Sequence, residues 1–249
     1  MKGIYQSIVN KKEAGIKSFG VLLDPDKTTE SNLFKTVEKS IESNVDYFLV
    51  GGSLLMNGNF NTVVKTIKAN SNIPLILFPG SSLQIHNSAD GIFFLSLISG
   101  RNSEFLIGQH VIAAPMLKKS NLEIIPTGYI LIDCGKPTTV SYMSNTTPIP
   151  YDKPDIASCT AMAGEMLGLK LLYLDGGSGA HIPISKEMIT AVKKSCSIPL
   201  IIGGGLNNPA KATEALAAGA DMIVIGNAIE TNPQLISEVA ERILELNVH

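Results

Sequence analysis

The apolar residues of this chain fall in short unbroken runs rather than in alternation. Eight such runs, at 19–23, 47–50, 75–78, 92–95, 129–132, 171–174, 200–202 and 222–225, are rich in Val, Ile, Leu, Phe and Tyr. Most of them stop at Gly, Asp, Ser or Asn. A run that is apolar at successive positions is buried on both faces, the condition of a parallel sheet covered by helices.

Between most of these runs the apolar spacing changes to a helical period. Segment 31–43 carries Leu33, Val37 and Ile41 four residues apart, and 60–69 carries Val63, Val64 and Ile67. Segment 104–119, with Phe105, Leu106, Val111, Ile112 and Met116, reads as one long helix despite Pro115. Segments 156–167, 186–194, 209–218 and 234–246 follow, the third opening on Asn208-Pro209 as cap and first-turn proline. Strand followed by helix, repeated along the chain, predicts an α/β fold of the TIM (β/α)8-barrel type, one domain over 1–249. An open doubly wound sheet is the alternative, since repetition alone does not establish closure.

Two intervals depart from the repeat. Between Phe78 and Ile92 there is too little chain for two loops and a helix, so the third helix is expected to be replaced by a short loop segment. The stretch 135–155 is long and rich in Pro, Thr and Ser. In a barrel it would lie over the C-terminal mouth, where loops serve as lids.

Residues just past the strand ends carry the chemistry of such barrels. The last three ends are Gly176-Gly177-Ser178-Gly179, Gly203-Gly204-Gly205 and Gly226-Asn227. Glycine lets backbone N–H groups approach an anion closely, so these clusters predict a phosphate site. Tight β-to-α turns alone would also favour glycine. The first run ends in Asp24-Pro25-Asp26-Lys27, whose carboxylates suit a hard cation held together with substrate oxygens. Ser53 could add a hydroxyl oxygen to the same ion. Asp175 is the best-placed carboxylate for proton abstraction beside the phosphate site, with Asp133 similarly placed. His86, His110, His181 and His249 have no metal-ligand spacing and read as packing or surface residues.

Composition narrows the partners. Twenty Lys and Arg against 22 Asp and Glu give a net charge of −2, which argues against nucleic acid. Hydrophobic residues make up 45% while aromatics are only 6% and Trp is absent, so the apolar character is aliphatic. Cys134, Cys159 and Cys196 are too few and too irregular for a disulfide framework. The N-terminal stretch has no secretory apolar run and no segment is long enough to span a membrane, so a cytoplasmic protein is expected.

In order along the chain, the strand ends Leu-Asp-Pro-Asp-Lys at 23–27, Val-Gly-Gly-Ser at 50–53 and Tyr-Leu-Asp-Gly-Gly-Ser-Gly-Ala at 173–180 resemble one known family, joined by Ile-Gly-Gly-Gly-Leu at 202–206 and Val-Ile-Gly-Asn-Ala at 224–228. It is the geranylgeranylglyceryl phosphate synthase family, which also includes bacterial heptaprenylglyceryl phosphate synthases. The resemblance implies a modified TIM barrel lacking its third helix, and a Mg2+-dependent prenyltransferase. The C3 hydroxyl of sn-glycerol 1-phosphate would attack C1 of a polyprenyl diphosphate, typically geranylgeranyl diphosphate, releasing diphosphate and forming an ether lipid precursor.

Carried over by motif, Asp24 and Ser53 would bind Mg2+. Tyr173, Leu174, Asp175, Gly176, Gly177, Ser178 and Gly179, with Gly204, Gly205, Gly226 and Asn227, would bind glycerol phosphate, and Asp175 would be catalytic. Relatives often carry Glu where this chain has Asp175. Leu22 stands where the heptaprenyl enzymes carry Lys, which places the chain nearer the geranylgeranyl branch. A homo-oligomer, dimer or hexamer, is implied, with a lipid product passed on to a membrane. Phe93, Phe94, Leu95 and Leu97, or the helices they face, are candidates for lining a prenyl groove; the alternative is that at least half of them simply fill the barrel core. The competing readings are another phosphate-binding barrel (sugar-phosphate isomerase, aldolase-like or flavin-dependent) and a non-catalytic ligand-binding barrel.

Overall fold

The computed structural model describes residues 3–248, and His249 lies outside them. Eight parallel strands close on themselves in sequence order: β1 (Ser18–Leu23), β2 (Tyr47–Val50), β3 (Leu75–Leu77), β4 (Gly91–Leu97), β5 (Glu123–Leu131), β6 (Leu171–Asp175), β7 (Leu200–Gly203) and β8 (Met222–Ile225). The ring is sealed where β1 pairs with β8, Ser18 opposite Met222 and Val21 opposite Ile225. Closure rules out the open-sheet alternative.

The helices are α1 (Ile4–Glu13), α2 (Glu30–Glu42), α3 (Phe60–Asn70), α4 (Gln109–Lys118), α5 (Thr139–Ser144), α6 (Pro154–Met166), α7 (Lys186–Ser195), α8 (Pro209–Ala217), α9 (Asn227–Thr231) and α10 (Leu235–Asn247). Local chemistry sets several starts. Thr29, Ser185 and Asn208 each accept a backbone N–H of the first turn of α2, α7 and α8, and Pro209 fills a position that needs no donor.

Successive strand residues face two different cores, which explains the unbroken apolar runs. Tyr47, Leu49, Ile76, Ile125, Tyr173, Ile201 and Val224 fill the barrel interior. Their neighbours Phe48, Val50, Leu75, Leu77, Leu174, Ile202 and Ile225 pack under the surrounding helices. Ile4 and Ile8 of α1 join the interior set and stop the N-terminal end of the barrel. The Glu123 carboxylate accepts the first N–H groups of α1, from Ile4 and Tyr5, and fixes this plug. α1 carries the i, i+4 pairs Ile4/Ile8 and Tyr5/Val9, of which Ile4 and Ile8 are buried, but it precedes β1 and so lies outside the strand–helix repeat.

Other boundaries also move. Phe78 falls just outside β3, and Ile132 falls outside β5, pairing instead with Ile149 in an isolated bridge. The strand β5 begins six residues earlier than its apolar run, at the partly buried Glu123. The long helix expected over 104–119 is a π-helical turn, Glu104–Gly108, continuing into α4 with Pro115 inside it. The long segment after β5 contains the short helix α5, opened by a reciprocal Thr138–Ser141 cap.

No helix separates β3 from β4, as expected from the short interval. The chain turns there around Gln84, which is buried. Its Oε1 accepts the Gly52 and Gly80 N–H groups at 3.2 Å each, and its Nε2 donates to the Gly52 carbonyl at 2.7 Å. The loops after β2 and β3 thus touch backbone to backbone. A Cβ on Gly80 would stand 2.3 Å from the Gly52 oxygen, so only glycine fits. Gln84→Met removes all three hydrogen bonds at nearly constant volume. It is expected to destabilise the fold by about 2–4 kcal/mol in urea titration; an unchanged midpoint would contradict the clamp.

Candidate active site

The C-terminal ends of β1, β2 and β6 to β8 surround a polar cavity. Asp24, Asp26, Lys27, Ser53, Tyr173, Asp175, Gly177, Ser178, Gly179, Gly204, Gly205, Gly226 and Asn227 all line it, as does Leu22. Two expected positions face elsewhere. The Leu174 side chain is fully buried in the layer between barrel and helices. The Gly176 N–H is spent on the Gly203 carbonyl, and a Cβ there would meet Cys134 Sγ at 2.8 Å. Neither lines the cavity. Gly204 holds a left-handed φ of +84° against the backbone of Gly176, where any side chain would collide.

Asp175 ends β6 at the floor of this cavity and is buried. The Tyr129 hydroxyl donates to its Oδ2, and the Gly177 N–H donates to Oδ1 at 2.8 Å. Burial pushes the carboxyl above the ordinary aspartate range, and these two donors pull it part of the way back. Burial also raises the Tyr129 and Tyr173 phenols well above their usual value, Asp175 adding to both, so they remain neutral donors. Phe78, Tyr129 and Tyr173 form one aromatic cluster, with centroids 4.9 Å apart for Phe78–Tyr173 and 5.8 Å for Tyr129–Tyr173. Asp133 is exposed, its carboxylate accepting the Gly135 N–H.

Across the mouth, Asp24 pairs with Lys27 at 3.0 Å. Its other oxygen accepts the Asp26 N–H at 3.1 Å. Asp26 is itself engaged, accepting the N–H groups of Met56 and Asn57 in the loop after β2. It is a loop anchor rather than a free ligand. Ser53 follows Gly52, where a Cβ would lie 3.3 Å from Asp24 Oδ1, so the carboxylate and this backbone are close neighbours. The residues present fit a Mg2+ ion. A cation already sits on Asp24, in the form of the Lys27 ammonium, and one carboxylate with one hydroxyl is a hard-oxygen set that substrate oxygens would complete. Among the described residues no group of three His, Cys, Asp or Glu side chains could hold a metal alone.

A second, apolar groove opens beside the mouth, over the wall where the third helix is missing. It runs down between β4 and α4, past Phe94, Leu95, Leu97, Phe105, Ala113 and Leu117. Phe93 does not line it. That ring lies wholly inside the barrel, edge-on to Phe78 at 6.3 Å. Strand alternation separates Phe93 from Phe94, a distinction the continuous run Phe93-Phe94-Leu95 hides. His110 is buried in the groove wall, bonded to Ser96 at 3.0 Å and edge-on to Phe94. His86 is half-buried and His181 exposed. The three cysteines are free.

Groove and mouth share a border: Gly52, Ser53, Phe78, Tyr129 and Val140 line both. Sequence reasoning missed part of this site. Glu230 lines the mouth, with its carboxyl raised by burial and partly restored by Lys27. It accepts the Asp24 N–H at 3.3 Å. Its signal was the helical spacing of three residues from Asn227, unread because α9 has only five residues. Tyr129 and Gln84 had no signal beyond a polar atom within or beside an apolar run.

These features define a (β/α)8 barrel with glycine-rich loops at its mouth and an apolar groove entering beside it. The chain belongs to the PcrB family, whose model matches residues 10–243. It is 56% identical over 236 residues to the geranylgeranylglyceryl phosphate synthase of Spirosoma linguale, covering 95% of each chain. Against the enzyme of that name from Thermococcus kodakarensis it is 41% identical, over 98% of this chain and 96% of the relative. The solved (S)-3-O-geranylgeranylglyceryl phosphate synthase of Thermoplasma acidophilum, in complex with its substrate sn-glycerol-1-phosphate, superposes with a TM-score of 0.92 at 31% identity, covering 98% of this chain and all of that one. A thiamine phosphate pyrophosphorylase from Pyrococcus furiosus, at 16% identity and a TM-score of 0.58, shares the fold alone.

Two measurements check the electrostatics of Asp175. Tyr129→Phe removes a donor to the carboxylate, so carboxyl 13C NMR should show the Asp175 titration move further upward; a downward move would contradict the arrangement. Because the folded-state pKa lies above the unfolded one, this carboxyl favours folding below its unfolded pKa. That contribution is lost as pH rises through the folded pKa. Asp175→Asn, which cannot ionise, is therefore expected to be at least as stable as the wild type at neutral pH in urea titration. Its relative advantage should shrink as the pH falls; a clear loss of stability at neutral pH would contradict the burial argument.

Proposed function

We propose that this chain is a Mg2+-dependent prenyltransferase that joins a polyprenyl diphosphate, most naturally geranylgeranyl diphosphate, to the C3 hydroxyl of sn-glycerol 1-phosphate. The observation that carries the reading is the shared border. A polar cradle for a small phosphate and a groove for an aliphatic chain meet at Ser53, Phe78 and Tyr129. Among the described residues no helix is long and apolar enough to cross a membrane.

The backbone N–H groups and hydroxyls of the loops after β6, β7 and β8 would hold the glycerol phosphate. This leaves its hydroxyls toward Asp175 on the cavity floor. The prenyl chain would lie along Phe94, Leu95, Leu97 and Ala113, placing its C1 at the border and its diphosphate toward Asp24 and Ser53. Bound there, Mg2+ would act as a Lewis acid on the leaving diphosphate.

The C3 oxygen forms the new bond to C1 while the C1–O bond to diphosphate breaks and its electron pair leaves with diphosphate. The hydroxyl proton passes to Asp175, a base strengthened by burial. Allylic positive charge developing at C1 would face the rings of Phe78 and Tyr129, which stabilise a cation while excluding water. Leu22, uncharged at the mouth, supports the geranylgeranyl rather than the heptaprenyl branch. The enzyme would work in the cytoplasm and release its product to a membrane. Association of copies into a dimer or hexamer is supported by Ile107, Val111, Ile112 and Met116, apolar and more than half exposed around α4.

Incubation with labelled sn-glycerol 1-phosphate, Mg2+ and a series from farnesyl to heptaprenyl diphosphate should yield organic-extractable label. Absence of extractable product with every chain length would overturn the proposal. Asp175→Asn is expected to lower turnover by about 10²–10⁴-fold while the protein stays folded. Near-normal turnover would remove Asp175 from the proton-transfer role. Ala113→Phe would fill the groove below Phe94 and is expected to cut transfer of long chains by about tenfold while sparing farnesyl transfer. An equal loss for all chains would place the tail elsewhere.

A further inference from the structure

Lys27 is the one basic side chain among the residues lining the mouth, set among the carboxylates of Asp24, Asp26, Asp175 and Glu230. Its ammonium uses three partners from three parts of the barrel. It lies 3.0 Å from Asp24 Oδ2, and donates to Ser178 Oγ and Asn227 Oδ1 at 3.2 Å each. An ammonium has three N–H donors, so none is left over. The first partner belongs to the candidate metal site, and the other two to the phosphate loops after β6 and β8. Lys136, on the loop after β5, reaches across with its ammonium 3.2 Å from the Cβ position of Gly179, but is exposed and does not line the cavity.

The backbone under Lys27 is fixed, whereas its head is held only by side-chain partners at the edge of the mouth. The Asp24 carbonyl accepts the N–H groups of Lys27 and Thr28 and the Thr28 hydroxyl, and Asp26 is tied to Met56 and Asn57. The side chain itself is 45% exposed on a flexible four-carbon stem. A divalent cation arriving at Asp24 would occupy the oxygen that the ammonium now holds, and like charges at that distance repel. The ammonium would then keep only Ser178 and Asn227, neutral groups that position it to meet an incoming phosphate. Conversely, a phosphate on those loops draws the ammonium away and exposes Asp24. Glu230, whose carboxyl feels the Lys27 charge, is the remaining anionic neighbour and lies on the Asp24 side.

We propose that Lys27 is a movable internal counter-ion that couples the two halves of the mouth, so that metal binding at Asp24 and phosphate binding at the Ser178 and Asn227 loops strengthen one another. This inference rests on the functional reading above and assigns a role to a residue that the reading leaves idle. Because coupling free energies are reciprocal, the metal must tighten glycerol phosphate by the factor by which glycerol phosphate tightens the metal.

Titration calorimetry of sn-glycerol 1-phosphate with and without saturating Mg2+, and water-proton relaxation with Mn2+ as metal probe, test this without catalysis. In the wild type, metal is expected to tighten glycerol phosphate by about tenfold. In Lys27→Met the gain should fall to about twofold. The ligand-free variant should also bind Mn2+ more tightly than the wild type, because the competing ammonium is gone. Lys27→Arg, which keeps the charge, should retain most of the coupling. Undiminished coupling in Lys27→Met, or Mn2+ binding to it that is no tighter than to the wild type, would overturn the inference while leaving the prenyl-transfer reading intact. Failure of glycerol phosphate to bind the wild type under either condition would overturn both.

Discussion

Gln84 is a buried carboxamide that replaces the work of a whole helix. With no helix between β3 and β4, nothing of regular structure would otherwise hold the loops after β2 and β3 in register. Three hydrogen bonds from one side chain, and the absence of a Cβ at Gly80, bring those loops into backbone contact. The missing helix leaves an apolar gap in the barrel wall, and the clamped loops place Ser53 and Phe78 at the point where that gap meets the polar mouth. A conventional third helix would close the groove, whereas an unclamped gap would let the border residues drift. Both compartments depend on this contact.

The electrostatics of the mouth are local. On the proposed reading, a protein of net charge −2 would receive phosphorylated ligands through backbone N–H groups of the glycine-rich loops and nearby lysines rather than through a basic surface. Four carboxylates around the cavity have distinct duties. Asp26 anchors a loop, Asp24 pairs with a cation, Glu230 steadies the backbone of Asp24, and Asp175 lies buried under the phosphate loops where its carboxyl is raised. Burial that makes Asp175 a stronger base also makes its ionised form costly to fold, so function and stability oppose one another there.

Much of this was legible in the chain. Unbroken apolar runs announced two-sided burial, and the short interval before Ile92 announced the missing helix, because length is a hard constraint on what a connection can contain. The glycine-rich ends of β6, β7 and β8 pointed to the mouth, where Gly177, Gly179, Gly204, Gly205 and Gly226 line one cavity. What stayed hidden depends on side-chain direction or on distant partners. Phe93 and Phe94 are equivalent in a run but lie on opposite faces of β4. Leu174 belongs to the motif yet faces the helices. Gln84 and Tyr129 acquire meaning through groups 32 and 46 positions away, and the helical spacing of Ile4, Tyr5, Ile8 and Val9 does not by itself say that α1 plugs the barrel.

Whether chain groove and phosphate mouth meet in one reacting centre can be seen in a crystal structure with sn-glycerol 1-phosphate and a non-reactive geranylgeranyl thiodiphosphate bound together. The prenyl tail is expected along Phe94, Leu95 and Ala113, its C1 against Phe78 and Tyr129, and the glycerol C3 hydroxyl within hydrogen-bonding distance of Asp175. A tail lying outside the groove between β4 and α4, or a C3 hydroxyl directed away from Asp175, would contradict this arrangement.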